Sequence, residues 1–76
     1  MQTLDSMQIF LRVAELGSFT QAAQTMGLPK ASVSTAVQRL EASLGTRLLQ
    51  RTTRRVELTH DGRAYYERCK DLLADV

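Results

Sequence analysis

One cysteine, one histidine and one proline stand among the 76 residues, and each scarcity narrows the class of protein. The lone Cys69 has no partner for an internal disulfide, so nothing supports an extracellular disulfide scaffold. Cys69 and His60 together are too few for a metal site built from such ligands. One Pro and four Gly leave few breaks, which favours helices over a strand-rich fold. No apolar stretch nears the ~18 residues of a membrane span, and the N-terminus lacks a signal-peptide pattern. The expectation is a soluble, cytoplasmic chain with no membrane partner. A chain of this size buries only roughly 60% of its unfolded surface, in one modest core. That argues against a second domain and against an enzyme with a deep cleft between lobes.

The charge is mild in sum and uneven in place. The net charge is +2, with 43% apolar and 24% charged residues. Residues 29–63 hold Lys30, Arg39, Arg47, Arg51, Arg54, Arg55 and Arg63 against Glu41, Glu57 and Asp61, a net +4, while each flank carries −1. A basic middle between near-neutral ends fits a polyanion footprint, and equally a solvated basic face. The order of the elements has to separate the two.

Apolar residues at helical spacing predict a helix from Thr3 to Leu16, with Leu4, Met7, Leu11 and Ala14 on one face and Ile9, Val13 and Leu16 on a second. Thr3 is a candidate N-cap and Gly17 a stop. Ser18 and Gln21 fit a capping box for a short second helix, with Phe19, Ala22, Ala23 and Met26 on its inner face and Gly27 at its end. Pro29 suits the first position of a third helix. Val33, Val37, Leu40 and Leu44 give that helix a buried stripe; Ala31, Thr35, Gln38 and Ala42, with Ser34 beside them, face the other way.

Leu48–Arg51 and Val56–Leu58 are short strand candidates around a Thr52-Thr53-Arg54-Arg55 loop. Thr59 is a candidate N-cap for a fourth helix, along which Tyr65, Cys69, Leu72, Leu73 and Val76 form an apolar stripe with no terminating signal. The predicted class is therefore mainly α: three helices, a short two-stranded hairpin and a fourth, C-terminal helix.

Two helices joined by a tight turn, the second opening on Pro and small polar residues, match a helix-turn-helix. A helix that enters the major groove needs a slim docking face, so that base edges come within hydrogen-bond reach. Ala31 suits a thymine methyl, Gln38 an adenine edge, and Lys30 a phosphate at the helix start. Arg54, near the tip of the loop, suits a narrow minor groove.

The sequence resembles the N-terminal DNA-binding domain of the LysR-type transcriptional regulators. The resemblance spans essentially the whole chain and rests on Phe10-Leu11-Arg12-Val13-Ala14-Glu15-Leu16-Gly17-Ser18-Phe19-Thr20-Gln21-Ala22-Ala23, on Val33-Ser34, and on Leu40-Glu41 with Leu44-Gly45. It continues through Leu48-Leu49-Gln50-Arg51-Thr52-Thr53-Arg54-Arg55-Val56-Glu57-Leu58-Thr59 and Gly62.

The resemblance implies a winged helix-turn-helix over residues 1–59 and the start of a linker and dimerisation helix over 60–76. It further implies a larger C-terminal domain, absent here, that senses a small-molecule effector; no cofactor is expected in this domain. By position, Thr20 and Gln21 would face phosphates and Lys30, Ala31, Ser34, Thr35 and Gln38 the groove. Arg51, Thr52, Thr53 and Arg54 would make the wing contacts. Tyr65, Cys69, Leu72, Leu73 and Val76 would pair two subunits into a homodimer on double-stranded operator DNA, or contribute to a tetramer in the full-length protein. Three positions depart from the family's habit: Lys30 where Gln is frequent, Thr35 where Arg is common, and Asp61 before Gly62 in place of a small residue.

Other readings are weaker. Arg39, Arg47 and Arg55 fit phosphate contacts as well as pairs with Glu41 and Glu57, which would contribute little to stability when exposed. His60 reads as a solvated first-turn residue, Cys69 as a buried small hydrophobe, and Tyr65 and Tyr66 as packing. A protein-binding winged helix would show an apolar patch where Thr35 and Gln38 stand. An enzyme would need a paired catalytic set, a phosphate loop or metal spacing, and the chain has none of these.

Overall fold

The computed structural model describes residues 3–51 and 55–74. Three helices, α1 (Thr3–Leu16), α2 (Phe19–Met26) and α3 (Lys30–Leu44), precede two strands, β1 (Leu49–Arg51) and β2 (Val56–Leu58), and a last helix, α4 (His60–Ala74). The strands pair antiparallel with Leu49 opposite Leu58 and Arg51 opposite Val56.

The turn between α2 and α3 is built by local chemistry. The Ser18 hydroxyl accepts the Gln21 N–H at 3.1 Å, so the predicted cap is present. At the far end Gly27 takes φ +67°, and the N–H groups of Gly27 and Leu28 return to the carbonyls of Gln24 and Ala23. That paired closure needs a left-handed residue, which glycine adopts without steric cost. Pro29 then caps α3 in an extended conformation (φ −63°, ψ 145°) rather than lying inside the first turn as the sequence suggested.

The core sits where α1, α2 and α3 meet. Ile9, Phe10, Val13, Phe19, Ala22, Ala23, Val33, Ala36, Val37, Leu40, Leu48 and Leu49 form one buried cluster. Ala22 and Ala23 are buried with Phe19 on the inner face of α2, as expected. Two expectations shift. Phe10, on neither predicted face of α1, is the largest fully buried side chain, whereas Leu11 and Ala14 are half-buried. In α3 the buried stripe holds Ala36 at 1% exposure, and Leu44 is 43% exposed. For Phe10 the reason lies in α4, which packs on α1 and brings Tyr65 and Tyr66 against it, with ring centroids 5.6 and 6.5 Å apart in tilted and edge-on contacts.

Candidate nucleic-acid interface

α3 is anchored by Val33, Ala36, Val37 and Leu40 and leaves Lys30, Ala31, Thr35 and Gln38 exposed, with Ser34 half-buried beside them. The outward face is therefore narrow for two turns, with no side chain longer than Gln38 between Ala31 and Gln38. Ser34, Gln38 and Glu41 lie at four- and three-residue spacing and line one groove with Phe19, Arg47, Leu49 and Arg51. The wing and the third helix thus share a surface. Arg39, which fits a phosphate contact as well as an ion pair by sequence, edges a second depression with Ala31 and Thr35.

The wing is joined to the helices at a few points. Glu41 does not need an arginine: its Oε2 accepts the backbone N–H groups of Leu48 at 2.7 Å and Leu49 at 3.1 Å. The Leu48 carbonyl accepts the Thr59 N–H at 3.0 Å, and the Thr59 hydroxyl donates to the Arg47 carbonyl at 2.6 Å. That hydroxyl also accepts the Gly62 N–H at 2.9 Å, making Thr59 the predicted N-cap of α4. Asp61 accepts the Thr46 hydroxyl at 2.7 Å, so this departure from the family's habit ties the end of α3 to the start of α4. On the other side the Val56 N–H reaches the Gly17 carbonyl at 3.1 Å, and the Arg55 guanidinium lies across Gly17. Arg51 places its guanidinium 4.7 Å from the centroid of the Phe19 ring, a cation–π contact that aims the wing toward the start of α2.

The predicted site residues fall as follows. Thr20 and Gln21 are exposed in the first turn of α2, and Arg51 is exposed at the end of β1. Thr52, Thr53 and Arg54 lie outside the described residues. The α4 stripe divides. Cys69 is fully buried within the single chain and Tyr65 is half-buried against Phe10, so these two serve the intramolecular core; Leu72 is 61% exposed. The side chain of Leu73 and the whole of Val76 lie outside the described residues. Burial pushes the Tyr65 hydroxyl up to about 12, with Cys69 adding to the shift, and raises the Cys69 thiol, so little thiolate is present at neutral pH. That chemistry suits a packing role for Cys69. His60 opens α4 and is exposed.

The sequence names Glu41, Gly62 and Phe10 within the family's motif but does not reveal the contacts they make. Glu41 looks like a surface acid on a helix, and only the chain's return at Leu48 gives it a partner. Gly62, buried in the first turn of α4, has a backbone neighbour that no local pattern reveals: a Cβ there would meet the Leu48 carbonyl.

A short helix, a tight turn, a core-backed helix with a slim polar face, and a two-stranded wing fixed beside it define a winged helix-turn-helix DNA-binding domain. The family model of bacterial regulatory helix-turn-helix proteins of the LysR family matches residues 4–63. The chain belongs to that family and is its DNA-binding domain, not an enzyme. It is 55% identical over its whole length to the uncharacterized HTH-type transcriptional regulator YhjC of Escherichia coli and 53% identical to an HTH-type transcriptional repressor of Pseudomonas aeruginosa. It spans 25% and 24% of those two proteins. Among solved structures, the BenM DNA-binding domain in complex with benA site 1 DNA superposes with a TM-score of 0.92 at 35% identity, covering 99% of this chain and 83% of that one. The DNA complex of the CbnR DNA-binding domain gives 0.89 at 34% identity, covering 97% and 84%. Among the described residues no helix is long and apolar enough to cross a membrane.

Proposed function

We propose that the chain binds operator DNA sequence-specifically, with α3 in the major groove and the wing at the adjacent minor groove. The observation that carries this reading is the exposed Ala31, Thr35 and Gln38 face, backed by Val33, Ala36 and Val37. Small side chains let the helix axis approach the base edges, and Gln38 is then a long hydrogen-bonding group in reach of them. Lys30, Thr20, Gln21 and Arg51 contact phosphates around the groove; Ser34 and Thr35 approach bases, and Thr52, Thr53 and Arg54 extend the wing contact. That the similar BenM and CbnR domains form complexes with DNA supports DNA as the partner. Gln38→Ala should weaken binding to a duplex selected from random sequence by about 1–3 kcal/mol and relax preference at one base pair, measured by fluorescence anisotropy. An unchanged affinity and an unchanged base preference would remove Gln38 from the readout.

The functional unit on DNA is a homodimer formed through α4, on which Leu72 is exposed among the described residues and available to a second copy. Two-fold pairing sets the recognition helices one helical turn apart, roughly 34 Å, on a partly symmetric operator. Residues 1–59 carry the DNA contacts and 60–76 begin the pairing helix. A separate effector-binding domain of the whole protein supplies the small-molecule response, the DNA-binding domain needs no cofactor, and the site of action is the cytoplasm. Leu72→Lys should shift the chain to monomer in sedimentation and weaken operator binding; an unaltered dimer would place the interface elsewhere.

A further inference from the structure

We infer that Glu41 is a positioning residue for DNA recognition: its carboxylate fixes the spacing between the recognition helix and the wing. The inference rests on the DNA reading above and deepens it. Ser34, Gln38 and Glu41 occupy one stripe of α3 and one groove, so the row that would read bases continues one turn further into Glu41. That groove also holds Arg47 and Arg51, and a carboxylate there opposes a phosphate rather than attracting it. Phosphate contact therefore does not explain the residue. Its hydrogen bonds do, because one oxygen receives the N–H groups of both Leu48 and Leu49, where the chain turns from the end of α3 into β1. Hydrogen bonds to an ionised acceptor are shorter and stronger than neutral ones, so the joint is stiff. Two residues beyond Leu49 stands Arg51, with its guanidinium held over Phe19. Glu41 and Phe19 thus fix the two ends of β1, one from α3 and one from α2. The cation at the root of the wing cannot shift relative to Gln38 unless one of these two contacts breaks.

A residue that only stabilised the fold would weaken every DNA contact together, whereas a positioning residue separates them. The test compares footprints of the 76-residue chain, Glu41→Ala and Glu41→Gln on a duplex selected from random sequence, at saturating protein. Dimethyl sulfate reports guanine N7 in the major groove, and hydroxyl radicals report the flank covered by the wing. The native chain is expected to protect both. Glu41→Ala is expected to keep the guanine protection, lose the flank and bind about tenfold more weakly. Glu41→Gln keeps an oxygen acceptor for the two N–H groups and should retain the flank. Glu41→Met, which keeps side-chain length and helix propensity without the acceptor, gives the same reading if the alanine variant loses its helical circular dichroism. A folded Glu41→Ala or Glu41→Met variant that keeps the flank, or that loses both protections in parallel, overturns the inference. A native chain with no major-groove protection overturns the DNA reading and the inference together.

Discussion

Replacing Gly62 with alanine is expected to lower the melting temperature by about 15 °C, although alanine is the better helix former by about 1 kcal/mol. The first turn of α4 crosses directly over Leu48. A Cβ on residue 62 would lie far inside contact distance of the Leu48 carbonyl oxygen and 2.8 Å from its carbon. The obstacle is backbone, so no side-chain rotation relieves it. Leu48 itself cannot retreat freely, because its N–H is held by Glu41 and its carbonyl by the Thr59 N–H. Overpacking of this kind costs about 3 kcal/mol, a large part of the total stability of a small domain. Thermal denaturation followed by circular dichroism checks it. A variant as stable as the native chain would mean that α4 can lift off the wing junction at no cost, and the close approach would then have no role in the fold.

Operator affinity is expected to fall about a thousandfold between 50 and 200 mM salt. Lys30, Arg39, Arg47, Arg51, Arg55 and Arg63 are all exposed, and they lie in the segment that carries the positive charge. If each copy of a dimer neutralises about three phosphates, six counterions are released and the slope of log affinity against log salt is about −5. Isothermal or anisotropy titrations across the salt range give the slope. A slope near zero would leave the basic segment as a solvated face with no polyanion partner.

Much of this architecture is legible in the sequence because it is local. Ser18 and Gln21 announce the start of α2, Gly27 its end, and Thr59 the start of α4, and each does so through hydrogen bonds within a few residues. The slim face of α3 is equally readable, since Ala31, Thr35 and Gln38 alternate with Val33 and Val37 at helical spacing. What could not be read depends on contacts between distant segments. α1 is apolar on several sides, so periodicity alone gives more than one inner face; Tyr65 and Tyr66, more than fifty residues away, select Phe10. Glu41 reads as one member of an exposed ion pair because its true partners are main-chain groups with no sequence signature. The apolar stripe of α4 looks continuous, yet Tyr65 packs on Phe10 of α1 and Cys69 is buried within the chain, while Leu72 is exposed.

The most direct test of the proposed readout is a selection of bound DNA from a random-sequence pool, followed by competition between the winning duplex and a scrambled duplex of equal length and composition. Sequence-specific recognition by α3 is expected to yield a partly symmetric site with half-sites one helical turn apart, preferred over the scrambled duplex by about a thousandfold or more. A pool that emerges without consensus, together with equal affinity for both duplexes, would contradict it.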